Sequence, residues 1–140
     1  MPMKKKDIEK LLKKPIVAVV AVTAPDGSPH AVPTWYEYAD GQVVLHTEAT
    51  AFKYKCLVRD PRIALVVDTK KAPYKTVVLK GRATLEEKID DKRRERMAIE
   101  YLGKKLGKAY TKTLKGKKVV VVTFKPSHTV SWDYGEENII

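Results

Sequence analysis

The sequence predicts a mainly β protein, a single antiparallel barrel of about seven strands with inserted helices. Three observations carry that expectation. Short runs rich in β-branched residues recur along the chain, as in Ile16–Val22 and Lys117–Lys125. Turn sequences stand between such runs, with Asp26-Gly27 and Asp40-Gly41 the clearest. Helical segments are few, one at the N-terminus, a short one after the third strand and an insert before the last two strands. At 140 residues and 44% hydrophobic, the chain fits one domain with a real core, residues 1–140, and closure into a barrel removes vulnerable strand edges.

Each element has its own local cause. Within Lys4–Lys14, Ile8, Leu11 and Leu12 fall on one helical face, and Pro15 ends the helix. Ile16–Val22 is almost unbroken in apolar residues, so a strand buried on both faces is expected. The turn Pro25–Ser28 leads into a second strand, His30–Tyr38, and Asp40-Gly41 into a third, Gln42–Thr47. Thr50 is placed to cap a short helix running to Leu57, with Phe52 and Leu57 as inward anchors. Asp60-Pro61 stops that helix, because a residue before proline disfavours helical ψ.

Arg62–Asp68 reads as a fourth strand and Tyr74–Leu85 as a long fifth. Gly81 inside the fifth signals a bulge or a close backbone approach. From Ile89 to Leu106 the pattern turns helical, divided by Gly103 and Gly107 into two pieces. Lys117–Lys125 is the sixth strand, broken by Pro126, and His128–Tyr134 the seventh, carrying Trp132. The tail ends in Ile139 and Ile140, apolar residues that need a surface to dock on.

Composition excludes several classes of function. A single cysteine, Cys56, permits no internal disulfide. The N-terminus lacks the apolar core of a signal peptide, and no run approaches the roughly 18 apolar residues of a membrane span. A soluble, cytoplasmic protein with no membrane partner is expected. Lys and Arg total 28 against 17 Asp and Glu, a net charge of +11 that attracts anions. Nucleic-acid binding is not the expected use of that charge, since the aromatic stretch TWYEYA stands beside Glu37 and Asp40 rather than lysines. His30, His46 and His128 form no metal-ligand spacing, so no metal site is expected. Phosphate-loop, dinucleotide and nucleophile-elbow motifs do not occur.

The stretch Pro33–Arg62 is the most informative for function. Two strands joined by Asp40-Gly41 deliver His46 and Thr47 to the end of a sheet. The next turn presents Thr50, Lys53 and Lys55 at the start of a helix. Hydroxyls, free helix amides and ammonium groups in one place make an anion site, most simply for a phosphate.

Several segments together resemble the split β-barrel flavin-binding family related to pyridoxamine 5'-phosphate oxidase, and its small branch that uses FMN or the deazaflavin coenzyme F420. They are DGSPH and VPTW, then HTEATAFK, LVRDPRIALVV, KGRA, YLGKK and FKPSHTVSWDYG, in that order. The resemblance implies a split β-barrel and a homodimer with cofactors in grooves at the subunit interface. It implies that Thr47 and Lys53, six positions apart, hold the cofactor phosphate. Several relatives carry a basic residue just before that lysine; this chain has Phe52, and Lys55 is the charge available to compensate. The backbone of Pro33, Thr34 and Trp35 matches the strand that runs along the cofactor ring. Gly81 matches a glycine near the site, and Trp132 an aromatic position of the C-terminal strand. The chain lacks the arginine-rich C-terminal end of true pyridoxamine phosphate oxidases, which argues against vitamin B6 oxidation.

The expected function is therefore that of an oxidoreductase passing a hydride between FMN, or F420 as close alternative, and a small conjugated substrate. A non-catalytic flavin-binding, storage or sensor protein, or a basic nucleic-acid-binding module, is the alternative. No catalytic side chain is singled out, though Tyr36 and His46 are groups able to donate a proton. Trp35 and Tyr36 alternate along one predicted strand, so at most one of them faces the ring.

Overall fold

A computed structural model describes residues 1–135, so the docking expected of Ile139 and Ile140 falls outside the described residues. Helix α1 (Lys5–Leu12) opens the chain, followed by β1 (Ala18–Thr23), β2 (Pro29–Thr34), β3 (Glu37–Ala39) and β4 (Gln42–Thr47). Helix α2 (Phe52–Arg59), β5 (Arg62–Asp68), β6 (Lys75–Arg82) and β7 (Thr84–Ile89) come next. The helical insert is α3 (Asp91–Leu102) and α4 (Lys104–Lys112), and the chain returns through β8 (Lys118–Phe124) and β9 (His128–Asp133).

Among the described residues the strands form two antiparallel sheets, ordered β2-β1-β5-β6-β9 and β3-β4-β8-β7. This is a split β-barrel with an N-terminal helix and a helical pair inserted before the last two strands. The described residues hold nine strands rather than seven, because two predicted strands each cross from one sheet to the other. His30–Tyr38 breaks at Trp35-Tyr36 into β2 and β3. The corner is pinned by Tyr36, which is buried and donates its hydroxyl proton to the Leu12 carbonyl at 2.8 Å. Tyr101 accepts the Tyr36 backbone N–H at 3.3 Å and donates its own proton to the Ile16 carbonyl at 2.8 Å.

Tyr74–Leu85 breaks in the same way at Ala83, whose N–H donates to the Pro61 carbonyl at 2.8 Å. Gly81 stands just before this crossing. A Cβ there would meet Phe124 Cδ2 at 2.9 Å and the Lys125 carbonyl oxygen at 3.0 Å, so the end of β8 can pack here only against a glycine.

The core fills the space between the sheets. Leu45, Leu65, Val67, Val77, Val120 and Val122 are almost fully buried there, and α1 closes one end with Leu11 and Leu12. Three local expectations are corrected. β1 buries Ala18, Val20 and Val22 inward, whereas Val19 and Ala21 alternate onto an outer face that is only half covered. Helix α2 begins from Ala51 without a side-chain cap, so Thr50 is not its cap. Phe52 is 48% exposed and sets its ring edge-on against His30 at 4.9 Å, leaving Cys56 and Leu57 as the inward anchors. No described helix is long and apolar enough to cross a membrane.

Candidate functional site

A groove of about 520 Å³ lies between the second sheet and the α3–α4 pair. Its walls are Thr34 and Trp35 at the end of β2, the segment His46–Thr50 leaving β4, Arg94 and Met97 of α3, Tyr110 of α4, and Lys117–Val119 entering β8. Register explains the convergence. His46 pairs with Val121 and Thr47 with Val120, so the exit of β4 lies beside the entry of β8.

The groove gathers Thr34, Trp35, His46, Thr47 and Thr50 of the expected site. Pro33 sits at its outer rim, in a shallow depression shared with Val17, Trp35 and Tyr110. Lys53 occupies the first turn of α2 beyond the Thr50 end; it is half-buried, and burial pushes its ammonium below the ordinary lysine value. Lys55 is on the exposed face of the same helix. Gly81 lines a different depression, formed by β1, β5 and β6. Trp132 lies on β9, the edge strand of the first sheet, opposite Thr76 and 44% exposed. Within one chain, then, Gly81 and Trp132 do not line the groove.

The Trp35 ring stacks on Tyr101, with centroids 5.0 Å apart and planes 6° from parallel, and meets Tyr110 edge-on at 5.7 Å. These contacts fix a flat aromatic wall. Tyr36 faces away into the core, and burial holds its phenol well above the usual tyrosine value. It is a structural anchor rather than a proton donor to the groove.

His46 Nε2 lies 2.8 Å from Asp90 Oδ2. Burial pushes the imidazole below its ordinary value, against the pull of the Asp90 carboxylate. Burial pushes Asp90 the other way, but the bond to His46 and the Arg93 charge outweigh it and hold its carboxyl below the usual range. A neutral His46 donating from Nε2 to an ionised Asp90 satisfies both shifts and leaves Nδ1 as an acceptor. The network continues outward. Arg93 Nη1 donates to Asp90 at 3.0 Å, and Arg96 grips Glu37 through two bonds of 2.8 Å. The bidentate hold of Arg96 keeps Glu37 below the usual carboxylate range.

Among the described residues, the buried polar or charged positions are Thr47, Arg94 and Thr111, and the first two line this groove. Arg94, Tyr110, Lys117 and Lys118 were not singled out as site residues by sequence reasoning. A signal for the lysines existed, since no acid occurs between Tyr101 and Trp132. Arg94 had none, being one of several arginines in an ordinary charged helix. No described group of three or more His, Cys, Asp or Glu is placed to hold a metal ion.

The family described as pyridoxamine 5'-phosphate oxidase matches residues 5–131. The chain belongs to that family. Among solved structures, a conserved hypothetical protein of Mycobacterium tuberculosis is 25% identical, with a TM-score of 0.76 over 99% of this chain and 89% of that one. A protein named F420 reductase is 18% identical, with a TM-score of 0.68 over 86% of this chain and 94% of that one. A FAD-binding protein of Mesorhizobium loti is 20% identical, with a TM-score of 0.66 over 94% and 95% of the two chains. These last two likenesses speak for the fold. No curated protein matches the sequence.

Proposed function

We propose that the groove binds a flavin-type cofactor, FMN or alternatively F420, and that the protein is an oxidoreductase acting on a small conjugated substrate. The observation that carries this reading is one groove holding a hydroxyl-rich turn at one end and a stacked aromatic wall along its side. The residues suit such a group. Thr47 is buried at the groove, Thr50 follows it, and Lys53 is a half-buried ammonium whose desolvation a phosphate would offset.

When bound, the cofactor supplies hydride chemistry; the protein supplies position and exclusion of water. Thr47, Thr50 and Lys53 would take the phosphate and so set where the ring lies. Trp35, held by Tyr101 and Tyr110, gives the ring a rigid apolar neighbour. His46, oriented by Asp90, is a titratable group of the groove able to hold a proton.

A homodimer fits this reading. Register aligns Pro33, Val19, Val66, Val78 and Val130 side by side across all five strands of the first sheet, on its outer face. Val130 is 49% exposed, and a continuous apolar row across a sheet is a surface that a second copy would cover. Pro33 belongs both to that row and to the rim of the groove, so a partner subunit would supply the missing wall.

The decisive experiment is an absorption spectrum of the purified protein followed by FMN and F420 titration of the parent and Lys53→Ala. Flavin or deazaflavin absorbance, with affinity lost in the variant, supports the assignment. Equal affinity in the two proteins refutes the phosphate role of Lys53. A bound cofactor that no reductant or substrate turns over would favour the storage reading.

A further inference from the structure

The excess charge of the chain is unevenly placed. Against a net +11, seven lysines fall between Lys104 and Lys118, in α4 and the turn that leads into β8, and no acid occurs between Tyr101 and Trp132. All seven are exposed, and none takes part in an ion pair among the described residues. Elsewhere basic side chains are met, as Arg62 is by Asp60, Lys70 by Asp68 and Arg96 by Glu37. Clustered ammonium groups repel one another, so an anion brought among them gains from each.

Helix geometry sorts these residues. Lys104, Lys108 and Lys112 are four apart, so they form a row along one flank of α4 with about 6 Å of rise between neighbours. Lys115 follows in the turn beyond the helix. Lys108, Lys112 and Lys115 form one wall of an open depression of about 610 Å³ between α3 and α4. Leu106 and Tyr110, each two residues on from a lysine of the row, are turned from it by about 200°. Tyr110 meets Trp35 at the groove. The insert therefore shows an aromatic flank to the groove and a basic flank away from it. A bilayer surface needs lysines and apolar side chains together on one face, and α4 holds them apart. A single small anion would leave most of the row unused. A linear polyanion engages all of it.

We propose that the lysine row of α4, continued by Lys115, is a docking surface for the phosphate backbone of a nucleic-acid duplex, separate from the cofactor groove. The expectation against nucleic acid rested on the aromatic stretch TWYEYA, which lacks the neighbouring lysines that base stacking uses. Backbone binding has no such requirement. Lysine is a point charge on a flexible stem, and it contacts phosphates without reading bases. A duplex fits better than a single strand, since no described aromatic side chain lines the depression and paired bases need none. The acids Glu95 and Glu100 belong to the α3 wall, so the backbone follows the α4 wall and keeps clear of them.

The test titrates a fluorescein-labelled DNA duplex of about 20 base pairs with the full chain, read by anisotropy over a salt series. The parent is expected to bind duplexes of unrelated sequence equally and to lose affinity steeply as salt rises. Lys108→Gln, Lys112→Gln and Lys115→Gln combined should weaken binding by about tenfold or more and flatten the salt slope by about one unit per lysine. Lys4→Gln, Lys5→Gln and Lys6→Gln combined remove the same charge at the start of α1 and should leave most of the affinity. Glu95→Gln with Glu100→Gln should tighten binding. Equal loss in the two lysine triples overturns the proposal, because net charge alone then accounts for the attraction. A parent that binds no duplex at low salt overturns it as well, including one that binds phosphatidylserine vesicles instead. Saturating FMN should leave duplex binding unchanged. Displacement of the duplex by FMN would put the polyanion in the groove, and refutes a separate surface.

Discussion

His46 and Asp90 meet at 2.8 Å although they come from different elements, one near the end of β4 and the other just before α3. The pair ties the groove to the helical insert. Burial favours the neutral imidazole, so His46 should titrate below the ordinary histidine value. Its depressed value also has a sign in stability. As pH falls below the ordinary histidine range the unfolded chain takes the proton first, and stability declines until the folded value is reached. Asp90→Asn removes the charge that partly opposes burial, and the imidazole should then titrate lower still. Histidine NMR across a pH series reads both effects; a rise in the His46 midpoint in the variant would contradict the arrangement.

Tyr36 separates structure from chemistry. Its hydroxyl lies 2.8 Å from the Leu12 carbonyl, inside the contact between α1 and the corner joining β2 to β3. Tyr36→Phe leaves that carbonyl without its donor and should cost about 1 kcal/mol in chemical denaturation. Cofactor affinity should not change, because the hydroxyl does not line the groove. A loss of binding with unaltered stability would restore the functional role.

Gly81 makes the converse point, an expected site glycine with a packing role. Alanine there would press on Phe124 Cδ2 at 2.9 Å and on the Lys125 carbonyl at 3.0 Å. The Phe124 ring is itself buried, so the strain has little room to relax, and Gly81→Ala should destabilise by about 1–3 kcal/mol. Urea denaturation gives the number. An unchanged midpoint would mean that the end of β8 can shift without cost.

What could be read from the chain follows from how local each determinant is. The turn at Asp40-Gly41, the end of α2 at Asp60-Pro61 and the strand Arg62–Asp68 are set by residues adjacent in sequence, and all were legible. The crossings at Trp35-Tyr36 and Ala83 were not. Nothing in the residues of the first crossing marks a change of sheet, and at the second Gly81 signalled a close backbone approach without showing that the chain passes to the other sheet. Those crossings are enforced by distant partners, Leu12 and Tyr101 for the first and Pro61 for the second. The same limit governs the groove. His46, Thr47 and Thr50 lie in one segment and were found together, whereas Arg94 and Lys117 reach them only through the packing of the insert and the pairing of β4 with β8.

Val66 offers the sharpest test of the second subunit. It stands at the middle of the row Pro33–Val19–Val66–Val78–Val130, on the outward face of the central strand β5, while Leu65 and Val67 beside it point into the core. Val66→Asp therefore leaves the barrel interior intact and places a carboxylate where a partner copy would have to bury it unpaired. Sedimentation should show the parent as a dimer and the variant as a folded monomer, with an unchanged far-ultraviolet spectrum. Because Pro33 links this row to the rim of the groove, the monomer should also hold cofactor more weakly than the dimer. A monomeric parent, or a variant that dimerises as well as the parent, would remove the partner subunit from the site and leave the groove to be completed by this chain alone.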